Sequence, residues 1–199
     1  KQAEALEEIV LRDINMSDPP LDVAATGYIK LMDDMRKYVI ESQVVTLLLA
    51  FVIITFILMA VFRSWKLALF SLIPNVGPII FGLAFMATLN IYLDPGTVMI
   101  ATIALGLVVD DTCHFLVRLQ RQIEDGDTLP DAIAETMQQT GRPIISTSII
   151  LATGFSMLIL GNFTTTVSFG LVSSFVLLSA LVADLIILPA ALLIIRPKL

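Results

Sequence analysis

The residues best suited to do chemistry stand together in "GLVVDDTCHFLVRLQ", Gly106 to Gln120. There Asp110, Asp111 and His114 put two carboxylates and an imidazole into an otherwise mostly apolar run. On a helix, adjacent residues point about 100° apart, so the two aspartates diverge. His114 lies four residues after Asp110 and three after Asp111, one turn along and within reach of either. Burial disfavours a carboxylate's charge and a nearby cation favours it, so such a group can be poised to gain and lose a proton. Neighbouring carboxylates titrate as a coupled unit, and an imidazole beside them can relay protons to water. The sharp reading is a proton-binding site inside a membrane. The bland one is a fixed polar contact that holds helices together. An Asp at the centre of a membrane helix costs roughly 2.5–3.5 kcal/mol and each Leu, Ile or Val returns only ~0.3–0.6, which favours the functional reading.

Other polar residues in apolar surroundings form a candidate network. "RPIISTS" carries Ser146, Thr147 and Ser148, whose hydroxyls either bond back to the preceding turn or act in a relay. Asp184 in "LVADLIILPA" is a third acid in an apolar run, and either joins the same network or snorkels. Pro74 and Pro78 in "LIPNVGPII" free backbone carbonyls. Asn75 between them either satisfies those or faces the aspartates, and the architectural role is the simpler reading. Gly106, four residues before Asp110, and Gly154 are candidate close-approach points for helix packing. Cys113 reads as a small packed residue. No residue set suggests a metal site or an organic cofactor, and nothing points to nucleic acid.

The elements that must position these groups are five apolar runs: Val44–Phe62, Leu67–Leu89, Thr97–Val117, Ile144–Leu160 and Val167–Ile195. Each is near or above the ~20 residues that a helix needs to cross the hydrocarbon core. The chain is 57% hydrophobic and 15% charged, with a mean hydropathy of +0.90, which excludes an ordinary soluble domain. Connections alternate in charge. Arg63, Lys66, Arg118, Arg121, Arg142, Arg196 and Lys198 all fall on one side, while "NIYLDPG" and "GNFTTT" on the other carry no Lys or Arg. By the positive-inside rule the C-terminus is cytoplasmic and residues 1–42 lie outside.

That outer segment holds nine acids and five bases, a net of −4. "AEALEEIVLRDI" reads as an amphipathic helix, "SDPPLD" as a break, and "VAATG" as a short strand before a lead-in helix. It reads as the end of a larger extracytoplasmic domain. Residues 43–199 read as an all-α membrane domain. Its cytoplasmic amphipathic connection, 118–143, holds one helix ended by Gly126 and a second begun at Thr128. Ala132, Ile133 and Met137 suit this second helix to the membrane surface; Gly141 stops it and Pro143 starts the next span.

"GLVVDDTCHFLVRLQRQIEDG", "RPIISTSIILATGF" and "ADLIILPAALL", in this order, resemble the membrane half of resistance-nodulation-division (RND) transporters. The closest likeness is to the MMPL-type exporter branch, which often reads GVDDTIHF at the first of these. "FRS" after the first run and "IPN" in the second extend the likeness along the whole chain. The resemblance implies five of the six helices of an RND-type half, and an end shortly after the last span suggests the C-terminal half. It implies proton-driven export of hydrophobic or lipid-like molecules, with the proton gradient in place of a cofactor. Asp110 and Asp111 map onto the family's proton-binding acids and Thr147 onto a relay residue of the multidrug branch; His114 matches the exporter branch. Val108 departs from the Gly common there. Implied partners are the missing N-terminal half of the same polypeptide, a hydrophobic or lipid-like substrate and membrane lipids; homo-oligomerisation stays open.

Three other families are similar in part. Sterol-sensing domains of Patched-like proteins carry a GVDD-type motif, which implies lipid sensing or movement. The protein-translocation accessory pair SecD and SecF usually has Asn where this chain has acids. Intramembrane aspartyl proteases share two Asp on separate helices and a Pro-Ala-Leu, which Asp111, Asp184 and "LPAALL" match superficially, but their GxGD pattern is absent. The chain therefore reads as a transporter and not as an enzyme.

Overall fold

The computed structural model describes Ile9, Arg12, residues 27–62 and residues 65–195. The expected helix, break and strand before residue 27 lie outside these, apart from Ile9 and Arg12, as do Arg63, Arg196 and Lys198. Among the described residues every regular element is helical: α1 Tyr28–Phe62, α2 Trp65–Thr88, α3 Pro95–Glu124, α4 Leu129–Ser156, α5 Thr164–Val182 and α6 Leu188–Ile195. A 3₁₀ turn, Met157–Leu160, closes α4, and a π-helical turn, Ala183–Ile187, joins α5 to α6.

Two units divide the chain between Glu41 and Ser42. In the first, the start of α1 is solvated, with Asp33 paired to Arg36 and Lys37 at 3.0 Å each. In the second, α5 is the hub and packs against α2, α3 and α4. It can do so because small residues stand at its contacts, Gly170 on α5 itself and Gly82 on α2. A Cβ on Gly170 would lie 2.6 Å from the Phe155 carbonyl oxygen, and one on Gly82 would lie 2.4 Å from Val176. The packing role expected of Gly106 and Gly154 has no counterpart among the described residues, because a Cβ on either meets open space. Phe85 and Phe175 stack with ring centroids 4.0 Å apart, fixing α2 on α5.

Local signals set the helix ends. Asp94 and Thr97 form a reciprocal capping box, with Thr97 N–H donating to Asp94 Oδ1 (2.8 Å) and Asp94 N–H to Thr97 Oγ1 (2.9 Å), and Pro95 opens α3. Asn90, at φ 53°, takes the left-handed conformation just after α2. Gly126, at φ 105°, ends α3 as its position implies.

Two expectations about the 118–143 connection are corrected. It is not a separate surface element, since α3 runs on to Glu124 and α4 passes through Gly141 and Pro143 unbroken. Proline removes one backbone bond, but the buried stripe Thr136, Gly141, Ile144, Ser148 and Ala152 continues across it, and packing holds the helix together. Ala132 and Ile133 do not lie out on a membrane surface; both are buried in the main core with Leu116 and Leu119.

Among the described residues, four helical stretches are long and apolar enough to cross a membrane: Lys30–Phe62, Pro95–Glu124, Leu129–Leu160 and Thr164–Ile194. Within α2 the described apolar stretch is Pro74–Thr88, so four of the five expected spans are met by length and composition among the described residues. Leu48, Val52 and Phe56 of α1 are exposed, as apolar side chains in hydrocarbon or against further helices would be.

Candidate functional site

The polar residues in the apolar middle of the second unit separate into two groups on different faces of α3. The first is the expected acidic face. Asp110 is 72% exposed, and its Oδ1 lies 3.4 Å from Nε2 of His114, which is 75% exposed. Of the two carboxylates His114 was expected to reach, it meets Asp110, four residues earlier on the same face. Asp111 is half-buried and accepts a long hydrogen bond, 3.5 Å, from Ser148 Oγ on α4. Asp110, Asp111, Thr147 and Ser148 line a cavity of about 150 Å³ whose remaining wall is apolar.

Thr147 bonds back to its own helix, donating to the carbonyl of Ile144 (3.0 Å) or Pro143 (3.1 Å), so it borders the cavity without touching either aspartate. Ser146 is exposed and stands apart from the cavity.

The second group is fully enclosed. Thr112, Asn75 and Asp184 are each 1% exposed or less. Thr112 Oγ1 lies 2.8 Å from Asn75 Oδ1 on α2 and 2.8 Å from Asp184 Oδ1 in the π turn, and 3.1 Å from the Val108 carbonyl of its own helix. Asn75 Nδ2 donates to the Ser71 carbonyl at 2.8 Å. Asn75 therefore does not serve the carbonyls that the prolines free, at positions 70 and 74, but ties α2 to α3. Asp184 does not snorkel; it points into the core.

The π turn has a cause in the sequence. Pro189 has no N–H to give to the Leu185 carbonyl, and its ring crowds that carbonyl. The chain widens instead, and Leu188 N–H bonds to the Ala183 carbonyl five residues back. Asp184 sits inside this turn. Thr112 was not singled out from the sequence. Its signal was present, since a third polar residue directly after "DD" must face a different side of α3 from either acid.

Among the described residues no group of three or more His, Cys, Asp or Glu is arranged to hold a metal ion.

Helices of membrane-crossing length, an apolar exterior and buried polar residues between helices define an integral, polytopic α-helical membrane protein. The MMPL family model matches residues 1–197, and the chain belongs to that family, within the RND superfamily of membrane transporters. The chain is also 30% identical over 179 residues to a protein of Methanocaldococcus jannaschii named only as a candidate membrane protein, MJ1562. The match takes in 88% of this chain and 45% of that relative, so the chain spans less than half of the relative's length.

Proposed function

We propose that this chain is the proton-coupling membrane half of an exporter driven by the proton gradient, which moves hydrophobic or lipid-like molecules across or out of the membrane. The observation that carries the reading is the cavity lined by Asp110, Asp111, Thr147 and Ser148 between apolar helices, in which Ser148 bonds to Asp111. Ionisable groups at such depth are costly, and pathways for protons are where that cost is accepted. One carboxylate pair takes up a proton from one side, helix packing shifts, and the proton leaves to the other. His114, beside Asp110, extends the route toward water.

In this reading α2 is the fifth span, since its 24 residues cover about 36 Å at the helical rise. Residues 1–42 are extracytoplasmic and the C-terminus is cytoplasmic, as the Lys and Arg distribution requires. The remaining partners are the other half of the transporter, a lipid-like cargo and the surrounding lipids.

The test uses the full-length parent protein in proteoliposomes under an imposed pH gradient. Wild type should dissipate the gradient, and Asp110→Asn, Asp111→Asn and the double variant should not. Flux that survives loss of both carboxylates in folded protein removes this reading and brings forward a lipid-sensing module of the Patched type.

A further inference from the structure

The hydrogen-bond directions around Thr112 assign a proton. The Ser71 carbonyl can only accept, so the Asn75 atom facing it is the amide nitrogen, and the atom facing Thr112 is the amide oxygen. Thr112 thus meets three acceptor positions, Asn75 Oδ1, Val108 O and Asp184 Oδ1, with one hydroxyl hydrogen. Were Asp184 a carboxylate, that hydrogen could serve only one of two oxygens held at 2.8 Å, and the other pair would be oxygen against oxygen with no proton between. Were Asp184 a carboxylic acid, both 2.8 Å links are made: Asp184 O–H donates to Thr112, Thr112 to Asn75, and Asn75 in turn to Ser71. Oδ2 supports the same assignment. It is buried and has no hydrogen-bond partner among the described residues, which an acid's carbonyl oxygen tolerates better than half of a carboxylate.

We infer that Asp184 is a second proton-binding group, occupied in this conformation, and that its proton locks the π turn, α3 and α2 together through Thr112 and Asn75. Loss of the proton breaks the chain. Thr112 must then turn its hydrogen to Asp184, and Asn75 loses its donor, so the tie between α3 and α2 is released. The occupant of this site is a proton and the readout is helix packing. Because Thr112 follows Asp111 directly on α3, any rotation of that helix that serves the cavity face also moves the lock.

The groups around Asp184 leave the proton as its counterpart. From α3, Asp111 is the ionisable side chain within electrostatic reach, and it is an acid. From α2, the nearby polar side chains are Ser71 and Asn75, neither of which titrates. From α4, Arg142 lines an open groove with Leu185, and Arg142 is itself exposed. No ion pair to Asp184 exists among the described residues.

The lock stands whether or not Asp110 and Asp111 carry the coupling proton, and the experiment keeps the two questions apart. Infrared spectra of the full-length parent protein in lipid, taken as a function of pH, report protonated carboxylic acids through their carbonyl stretch. At neutral pH wild type should show such a band that is missing in Asp184→Asn and retained in the Asp110→Asn, Asp111→Asn double variant. Thr112→Val, which removes the acceptor of the acid's proton, should shift the band without abolishing it. Superimposable wild-type and Asp184→Asn spectra at every pH overturn the inference. If Asp184→Asn does not fold, Thr112→Val decides alone, and an unshifted spectrum overturns it. A band without gradient-driven flux keeps the lock and removes the transport reading; flux without the band does the reverse.

Discussion

Thr112 Oγ1 lies 2.8 Å from Asp184 Oδ1, across 72 residues of chain, and Asp111, one position earlier, faces a different helix. One turn of α3 thus serves two polar sites. The first prediction concerns this contact. Thr112→Val removes the hydroxyl and leaves Asn75 Oδ1 and the Asp184 carboxyl without this partner while buried. The expected loss is about 1–3 kcal/mol, read as a lower unfolding midpoint in detergent, with most of it restored by Thr112→Ser. Equal midpoints for wild type and Thr112→Val would show that the hydroxyl holds nothing.

Asp110→Asn should leave stability nearly unchanged. The side chain is 72% exposed and its contact is an i, i+4 pairing to an equally open His114. An effect within about 0.5 kcal/mol on stability is expected. Proton flux in the full-length protein should nevertheless fall. A variant that unfolds and loses flux together would make Asp110 a structural residue.

A glycine that packs tightly and one that was expected to pack should give opposite outcomes. Gly170→Ala drives a Cβ to 2.6 Å from a backbone oxygen and 2.7 Å from Leu158 Cβ, neither of which can swing away. It should destabilise by about 1–3 kcal/mol. Gly154→Ala adds a methyl to open space within α4 and should be neutral or stabilising by up to about 1 kcal/mol. Thermal midpoints of the two variants, side by side, check this, and similar shifts would contradict the packing of α5 on the end of α4.

Pro189→Ala should abolish the cause of the π turn. With an N–H restored at 189, the Leu185 carbonyl regains a donor and the α-helical register can resume through Ala183–Ile187. Residues on one side of the turn then rotate relative to the other, and Asp184 leaves its 2.8 Å contact with Thr112. The expected signature is a shifted or lost Asp184 carboxylic acid band. An unchanged band would mean that the turn is held by packing and not by the proline.

Much of this protein is determined by its sequence alone. Long apolar runs cannot remain in water, and in hydrocarbon a helix satisfies its own backbone, so an all-α membrane fold follows from composition and run length. The capping pair at Asp94 and Thr97 and the left-handed Gly126 likewise set their boundaries locally, because each satisfies or frees backbone within a few residues. The acidic face of α3 was equally legible, since ionisable residues in an apolar run announce themselves.

Tertiary structure decided the rest. Whether α4 breaks at Pro143 depends on whether packing on both sides outweighs one lost hydrogen bond, and the buried stripe shows that it does. Which glycines allow close approach depends on where a neighbouring helix lies, which made Gly82, Gly96 and Gly170 tight points and left Gly106 and Gly154 open. The enclosed site needed three helices to converge, bringing residues 75, 112 and 184 together over separations of 37 and 72 positions. A hydroxyl in an apolar run reads as a helix bonding to itself until the fold sets two other oxygens 2.8 Å away and makes the direction of a single hydrogen the deciding quantity.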